Sequence, residues 1–363
     1  SPDSILKNQV DDLSRQIAKG AGLSERRIQG AKMQIRDVTT SSTETYEYYI
    51  KGKEASEKFY WQEALQYFEK AVELDPTFAE AYLRLSIICA KLGDLRARDE
   101  AVKKAKTLSG RAVEKVRLFI EAVYANYIEK IPGKYFNILQ ELTKKYPKEK
   151  EFHFNLGQYY SSAGNPNMAL DEFNKAVAID PSYADPLNGI SIVYLDLKDY
   201  EKAIEFIKKY AFLSPGDANP LDSLAEIYFR MGNLEDAIAK YKNALEIKPH
   251  FLFSLHNIQY VYALKADYSE AIKWLNRYIE VASSPGTKQL GYLWKGFYSA
   301  WLGNVEESLS YFQRVEDLAE AIGNKRWEAG VNWLKAWIYY ERGEYALSRE
   351  YNEAWLSTLL EID

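Results

Sequence analysis

Apolar and small residues recur along this chain with the spacing of paired helices. Between Phe152 and Pro181, Leu156, Gly157 and Tyr160 fall on one face of a helix that Gly164 ends. Ala169, Phe173 and Ala176 then form an i, i+4, i+7 stripe on a second helix that Asp180-Pro181 closes. The pattern predicts a helical hairpin. Gly and Ala stand where two helices approach closely, aromatic rings stand where volume is filled, and proline stops the second helix. The prolines at 147, 181, 215 and 249 keep an interval of 34 residues, so the hairpin is a repeated unit.

Residues 218 to 251 repeat the pattern with Leu224, Tyr228, Gly232, Ala237, Tyr241, Ala244 and Pro249, and residues 45 to 78 with Gly52, Ala64, Phe68, Ala71 and Pro76. This order of small, large and proline positions resembles the tetratricopeptide repeat (TPR), a family of stacked helix pairs. The resemblance implies an all-α, right-handed superhelical solenoid with a concave groove. Seven units are expected over 45–285, at 45–78, 79–112, about 113–149, 150–183, 184–217, 218–251 and 252–285. Two longer ones close the solenoid over 286–363, at about 289–328 and 329–363. Three departures mark candidate hinges or contact points. Arg98 replaces a small residue at the helix crossing of the second unit, extra residues enter the third near Ile131-Pro132-Gly133, and the eighth is longer through Ala319 to Lys325.

Residues 1–24 read as a separate amphipathic helix, with Leu6, Val10, Leu13 and Ile17 on one face and Gly20 and Gly22 closing it. The stretch Val10 to Ile17 is similar to the last helix of the amino-terminal domain of TolB, which in many bacterial signalling proteins precedes such repeats. With a first residue Ser, this suggests a fragment of a longer signalling protein whose output domain lies upstream. Residues 25–44 read as a linker, in which Ser41 and Glu44 make a capping box for the first repeat helix.

Composition changes this picture little. The chain has 363 residues, 47% of them hydrophobic and 29 of them Tyr, which is ample for a continuous core without a cofactor. Its net charge of −5 gives no global reason to expect nucleic acid. No apolar run is long enough for membrane insertion. The single cysteine, Cys89, falls on a packing face and excludes an internal disulfide framework, in keeping with a reducing, cytoplasmic setting. The histidines His153, His250 and His256 are scattered, and no metal-ligand spacing, nucleophile elbow or phosphate loop occurs. The expectation is no enzyme, no metal and no cofactor.

Recognition is the better-supported role. In the first helix of each unit, positions 4, 7, 8 and 11 pack the hairpin, and positions 2, 5, 9 and 12 are left to line the groove that the resemblance implies. The candidate binding residues are Tyr124, Tyr127, Phe154, Gln158, Asn188, Asp222, Phe253, His256, Asn257, Tyr260, Trp294, Phe297, Trp333 and Trp337. The Lys and Asn set of the family's carboxylate clamp for C-terminal peptides is missing, which disfavours a chaperone-tail receptor. Seven of the eight tryptophans follow residue 270, and they read either as core of the closing units or as an aromatic cleft. The expected function is a non-catalytic interaction scaffold or sensory module of a bacterial signal-transduction protein, binding an extended peptide or helix. The alternatives are a sensor for a small aromatic-compatible ligand and a structural array that self-assembles as a homo-oligomer.

Overall fold

The structure, a computed structural model, describes Thr40 and residues 42–362. The expectations for residues 1–24, for the linker up to residue 39 and for Ser41 lie outside the described residues. Among the described residues the chain is all α, with eighteen α-helices and no strand. They form nine successive hairpins: α1 (Thr43–Glu57) with α2 (Trp61–Leu74), α3 (Ala79–Lys91) with α4 (Leu95–Leu108), α5 (Glu114–Tyr124) with α6 (Pro132–Lys145), α7 (Lys150–Ser162) with α8 (Pro166–Ile179), α9 (Asp185–Asp196) with α10 (Tyr200–Leu213), α11 (Asn219–Arg230) with α12 (Leu234–Ile247), α13 (Leu252–Leu264) with α14 (Tyr268–Val281), α15 (Pro285–Trp301) with α16 (Val305–Ala321), and α17 (Lys325–Glu341) with α18 (Tyr345–Ile362). The chain divides into two compact units. The first takes the described residues up to Lys91 together with Ala97–Tyr159, and the second takes Leu92–Arg96 with the residues from Tyr160 onward.

Within the second unit each helix from α8 to α18 packs against the next, and α9, α11 and α13 also touch one another directly. This is the all-α solenoid that the 34-residue period demands. Its cores follow the predicted stripes. Ala203, Ile207 and Tyr210 pack with Leu187, Leu195 and Ile227, and Ala237, Ile238 and Tyr241 pack with Ala225, Ile258 and Val261. In the first unit Ala64, Phe68 and Ala71 are fully buried, and Cys89 is a buried free thiol. The turn inside a hairpin needs a left-handed residue. Gly164, Gly232 and Gly303 supply it at φ 71°, 83° and 83°, while Ala266 holds the same conformation at φ 57°.

Four local expectations are corrected or given a form. The cap of α1 is Ser42, whose Oγ accepts from the Thr45 N–H at 3.3 Å. The extra residues of the third hairpin are absorbed as a π-helical turn, Ala125–Glu129, followed by left-handed Lys130 (φ 57°) and by Pro132 at the start of α6. Arg98, too large for a close crossing, lies over the Tyr127 ring at 4.8 Å and pairs with Asp99 at 2.6 Å. The eighth hairpin begins at Pro285, capped by Ser284, and its added length is about one extra turn in each helix: α15 and α16 have 17 residues each, against 13 and 14 in α13 and α14.

The close crossing of the eighth hairpin gives a direct test of the packing. A Cβ on Gly296 would stand 2.3 Å from Phe312, a ring with no exposed surface. Gly296→Ala is expected to lower stability by about 1–2 kcal/mol net, because overpacking outweighs the helix-propensity gain of about 1 kcal/mol. Gly330→Ala, with nothing within 4 Å of the added carbon, is expected to gain up to about 1 kcal/mol from propensity alone. Urea unfolding midpoints of the two variants check both, and a Gly296→Ala chain as stable as the parent would refute the crossing.

Candidate functional site

Within each unit first helices of successive pairs touch, α3 with α5 in the first and α11 with α9 and α13 in the second, and the side they share is its inner face. Position 5 of these helices does not open into a groove. Tyr49, Leu83, Ile120, Asn188 and Asp222 are all buried, because neighbouring first helices lie side by side and position 5 falls in the seam between them. Polar residues there are spent on the seam. Ser223 Oγ donates to Asn188 Oδ1 at 3.0 Å, and one hairpin later Ser254 Oγ donates to Asp222 Oδ1 at 2.7 Å. Asn188 and Asp222 therefore join adjacent helices rather than stand open, which corrects their expected place. Position 9 is the open one: Ile192, Glu226 and Tyr260, each 34 residues from the next, are 44%, 35% and 38% exposed.

In the first unit the inner face is filled by the chain's own ion pairs. Arg84 on α3 makes a bidentate pair with Glu151 on α7, two hairpins away, and lies 3.8 Å from Glu80, which accepts from the Tyr49 hydroxyl at 2.7 Å. Burial alone would raise the Glu151 carboxyl, but the Arg84 guanidinium beside it holds it down at about 2. Tyr124 and Tyr127 are half-buried under the cations of Lys106 and Arg98. Phe154 is half-buried and Gln158 is exposed. These four belong to the first unit, and most of the remaining candidate residues form a cluster within the second.

That cluster spans α11, α13 and α15. The rings of Phe229, Tyr260 and Trp294 form an edge-to-face series at 6.3 and 5.2 Å, continued by Phe297 at 5.6 Å from Trp294. Phe253 is exposed beside buried Phe251, and His256 and Asn257 meet at 3.3 Å. Burial lowers the His256 pKa, with the Asn257 hydrogen bond opposing it. Three buried polar atoms here have no hydrogen-bond partner: His256 Nε2, Gln259 Nε2 and Trp294 Nε1. The Gln259 carbonyl is taken by the Tyr298 hydroxyl at 2.6 Å. Burial pushes the Asp222 carboxyl up to about 7, with Glu226 adding to the effect and the Ser254 hydrogen bond opposing it. Glu226 is raised as well, chiefly by burial, and accepts from the Tyr241 hydroxyl at 3.2 Å.

The tryptophans divide between the two expected roles. Trp337 packs into the Phe312, Val315 and Val331 core, and Trp294 packs beside Tyr298, whereas Trp301 and Trp333 are each 49% exposed. Trp333 and Trp337 are not joined to the Tyr260 and Trp294 series by any ring contact. Two residues that organise the inner face were missed by the helical-wheel reading. Arg84 had a visible signal, the one charged residue in the run Leu83 to Ala90. Tyr241 had none, since its ring sits where the repeat wants a core residue and only its hydroxyl reaches Glu226. Among the described residues no group of His, Cys, Asp and Glu is placed to hold a metal ion, and no helix is long and apolar enough to cross a membrane.

Comparison with known proteins agrees with this architecture. Models of the tetratricopeptide repeat match residues 150–183 and 218–251, and a second such model matches 48–78 and 184–216. Superkiller protein 3 of Schizosaccharomyces pombe is 24% identical over 150 residues, which is 40% of this chain and 11% of that protein, so the chain spans a small part of this relative's length. Among solved structures, MamA is similar at 22% identity with a TM-score of 0.36, over 44% of this chain and 93% of that one. The matched units include the α7/α8, α9/α10 and α11/α12 hairpins, in the phase set by the prolines. The chain carries tetratricopeptide repeats.

Proposed function

We propose that the chain is a non-catalytic protein-binding module and that its partner lies as an extended segment along the inner helices α9 to α15 of the second unit. The observation that carries this reading is the continuous ring series on three successive first helices, in which Tyr260 is exposed and Phe229, Trp294 and Phe297 are half-buried. Aromatic side chains that are half-open on a rigid scaffold are the usual anchors of an interface, and a prebuilt helical wall costs a partner little ordering. The first unit supports the assignment by contrast, because its inner face is taken up by Arg84, Glu151, Glu80 and Tyr49. The sensory role in a bacterial signal-transduction protein rests on the resemblance of residues 10–17 alone and is part of the same proposal.

The test is selection of peptides from a displayed random library on the full chain, followed by amide hydrogen exchange with and without a selected peptide. Protection is expected in α9, α11, α13 and α15. Protection confined to α10, α12 and α14, or no selected peptide at all, would refute the reading. A flat, hydrogen-bonding small molecule is the second reading, favoured by the unpartnered Trp294 Nε1 and His256 Nε2. It predicts a change in tryptophan emission and acrylamide quenching with no protection of α9 or α11.

A further inference from the structure

Charge along the inner helices of the second unit is uneven. Helices α9 and α11 carry Asp185, Asp196, Asp222 and Glu226 against one cation, Arg230, which stands 3.4 Å from Asp196 and 4.0 Å from Glu226. These are exposed pairs, and such pairs are weak and exchangeable. Helix α13 has no Asp, Glu, Lys or Arg between Leu252 and Leu264, and its open residues are Phe253, Tyr260 and Leu264, the last 59% exposed. On α15, Lys295 is buried and donates to Asn276 at 2.7 Å, and Trp301 is open. The face is acidic at one end and aromatic at the other.

We propose that the occupant is an extended peptide segment with lysine or arginine side chains over α9 and α11 and large apolar side chains over α13 and α15. The proposal rests on the binding face of the preceding section and adds the partner's chemistry and direction. Three helix-to-helix steps of about 8–10 Å make a track that about 8 or 9 extended residues cover at ~3.3 Å each. Exposed Asp196 and half-buried Glu226 attract the cationic end, and the Tyr260 and Trp294 rings take the apolar end. At the aromatic end three buried side-chain atoms have no hydrogen-bond partner, among them one acceptor and one donor. His256 uses Nδ1 toward Asn257 Oδ1, which leaves Nε2 to accept, and Trp294 Nε1 can only donate.

The experiment compares peptides selected on the full chain with their binding to an Asp196→Asn/Glu226→Gln double variant and to Tyr260→Ala. Selected sequences are expected to be rich in Lys or Arg at one end and in apolar residues at the other. Affinity should fall about tenfold in the double variant, with loss of salt dependence, and by a similar factor in Tyr260→Ala. Glu226 also accepts from the Tyr241 hydroxyl, so an unchanged thermal midpoint certifies the double variant before its binding is read. The salt dependence of the unaltered chain provides a reading independent of any substitution. Peptides that protect the inner helices yet lack basic residues, or that bind the double variant as tightly, overturn this inference and leave the binding face standing. Failure to select any peptide overturns both.

Discussion

Arg84→Met is expected to lower the stability of the first unit by about 3 kcal/mol. Breaking a pair of this kind leaves a partly buried charge uncompensated, at a typical cost of 3–5 kcal/mol, and the low end applies because the Glu151 side chain keeps 31% of its exposure. The loss should appear as faster amide exchange in α3 and α7 and as an earlier thermal transition. Adding Glu151→Gln should recover most of it, because what destabilises the single variant is the lone carboxylate. The same pair sets an acid limit. Glu151 has its folded pKa depressed to about 2 from an ordinary 4.5, so its stabilising contribution is present above about pH 4.5 and is lost as pH falls toward 2. A single variant as stable as the parent, or a double variant no better than the single, would mean that solvent carries both charges.

The hairpins were legible because their signal is redundant. Prolines 34 residues apart, glycines at left-handed turns and alanines at crossings each report the same unit, and small errors such as the cap at Ser42 or the start of α15 leave the stack intact. The binding face was legible only in part, for a geometric reason. A helical wheel treats positions 5 and 9 alike, yet lateral packing of neighbouring first helices closes position 5 and leaves position 9 open, so Asn188 and Asp222 went to the seam while Tyr260 stayed exposed. Arg84 and Glu151 show the second limit. They are 67 residues apart, and no local pattern says that α3 and α7 face each other closely enough for a bidentate pair. For the tryptophans, composition reports a concentration of rings but not the depth of each one, which follows from what the next hairpin covers.

Asp222→Asn should stabilise the second unit at pH 8 and leave it unchanged near pH 4. The sign follows from where the proton sits. The folded carboxyl is pushed up to about 7 by burial, whereas the unfolded chain titrates near 3.8. Between those values the folded state holds a proton that the unfolded state has released, so stability declines as pH rises through this window, and the penalty is complete above about pH 7. A difference of about three pKa units corresponds to at most ~4 kcal/mol, and about 2–4 kcal/mol is the expected gain once the charge is removed. Asparagine fits without new demands, because the preceding seam is already built that way, with Asn188 Oδ1 accepting from Ser223 as Asp222 Oδ1 accepts from Ser254. Thermal melts of both chains across pH 4 to 8 read the effect directly, and a flat difference would mean that Asp222 is solvated or paired in solution.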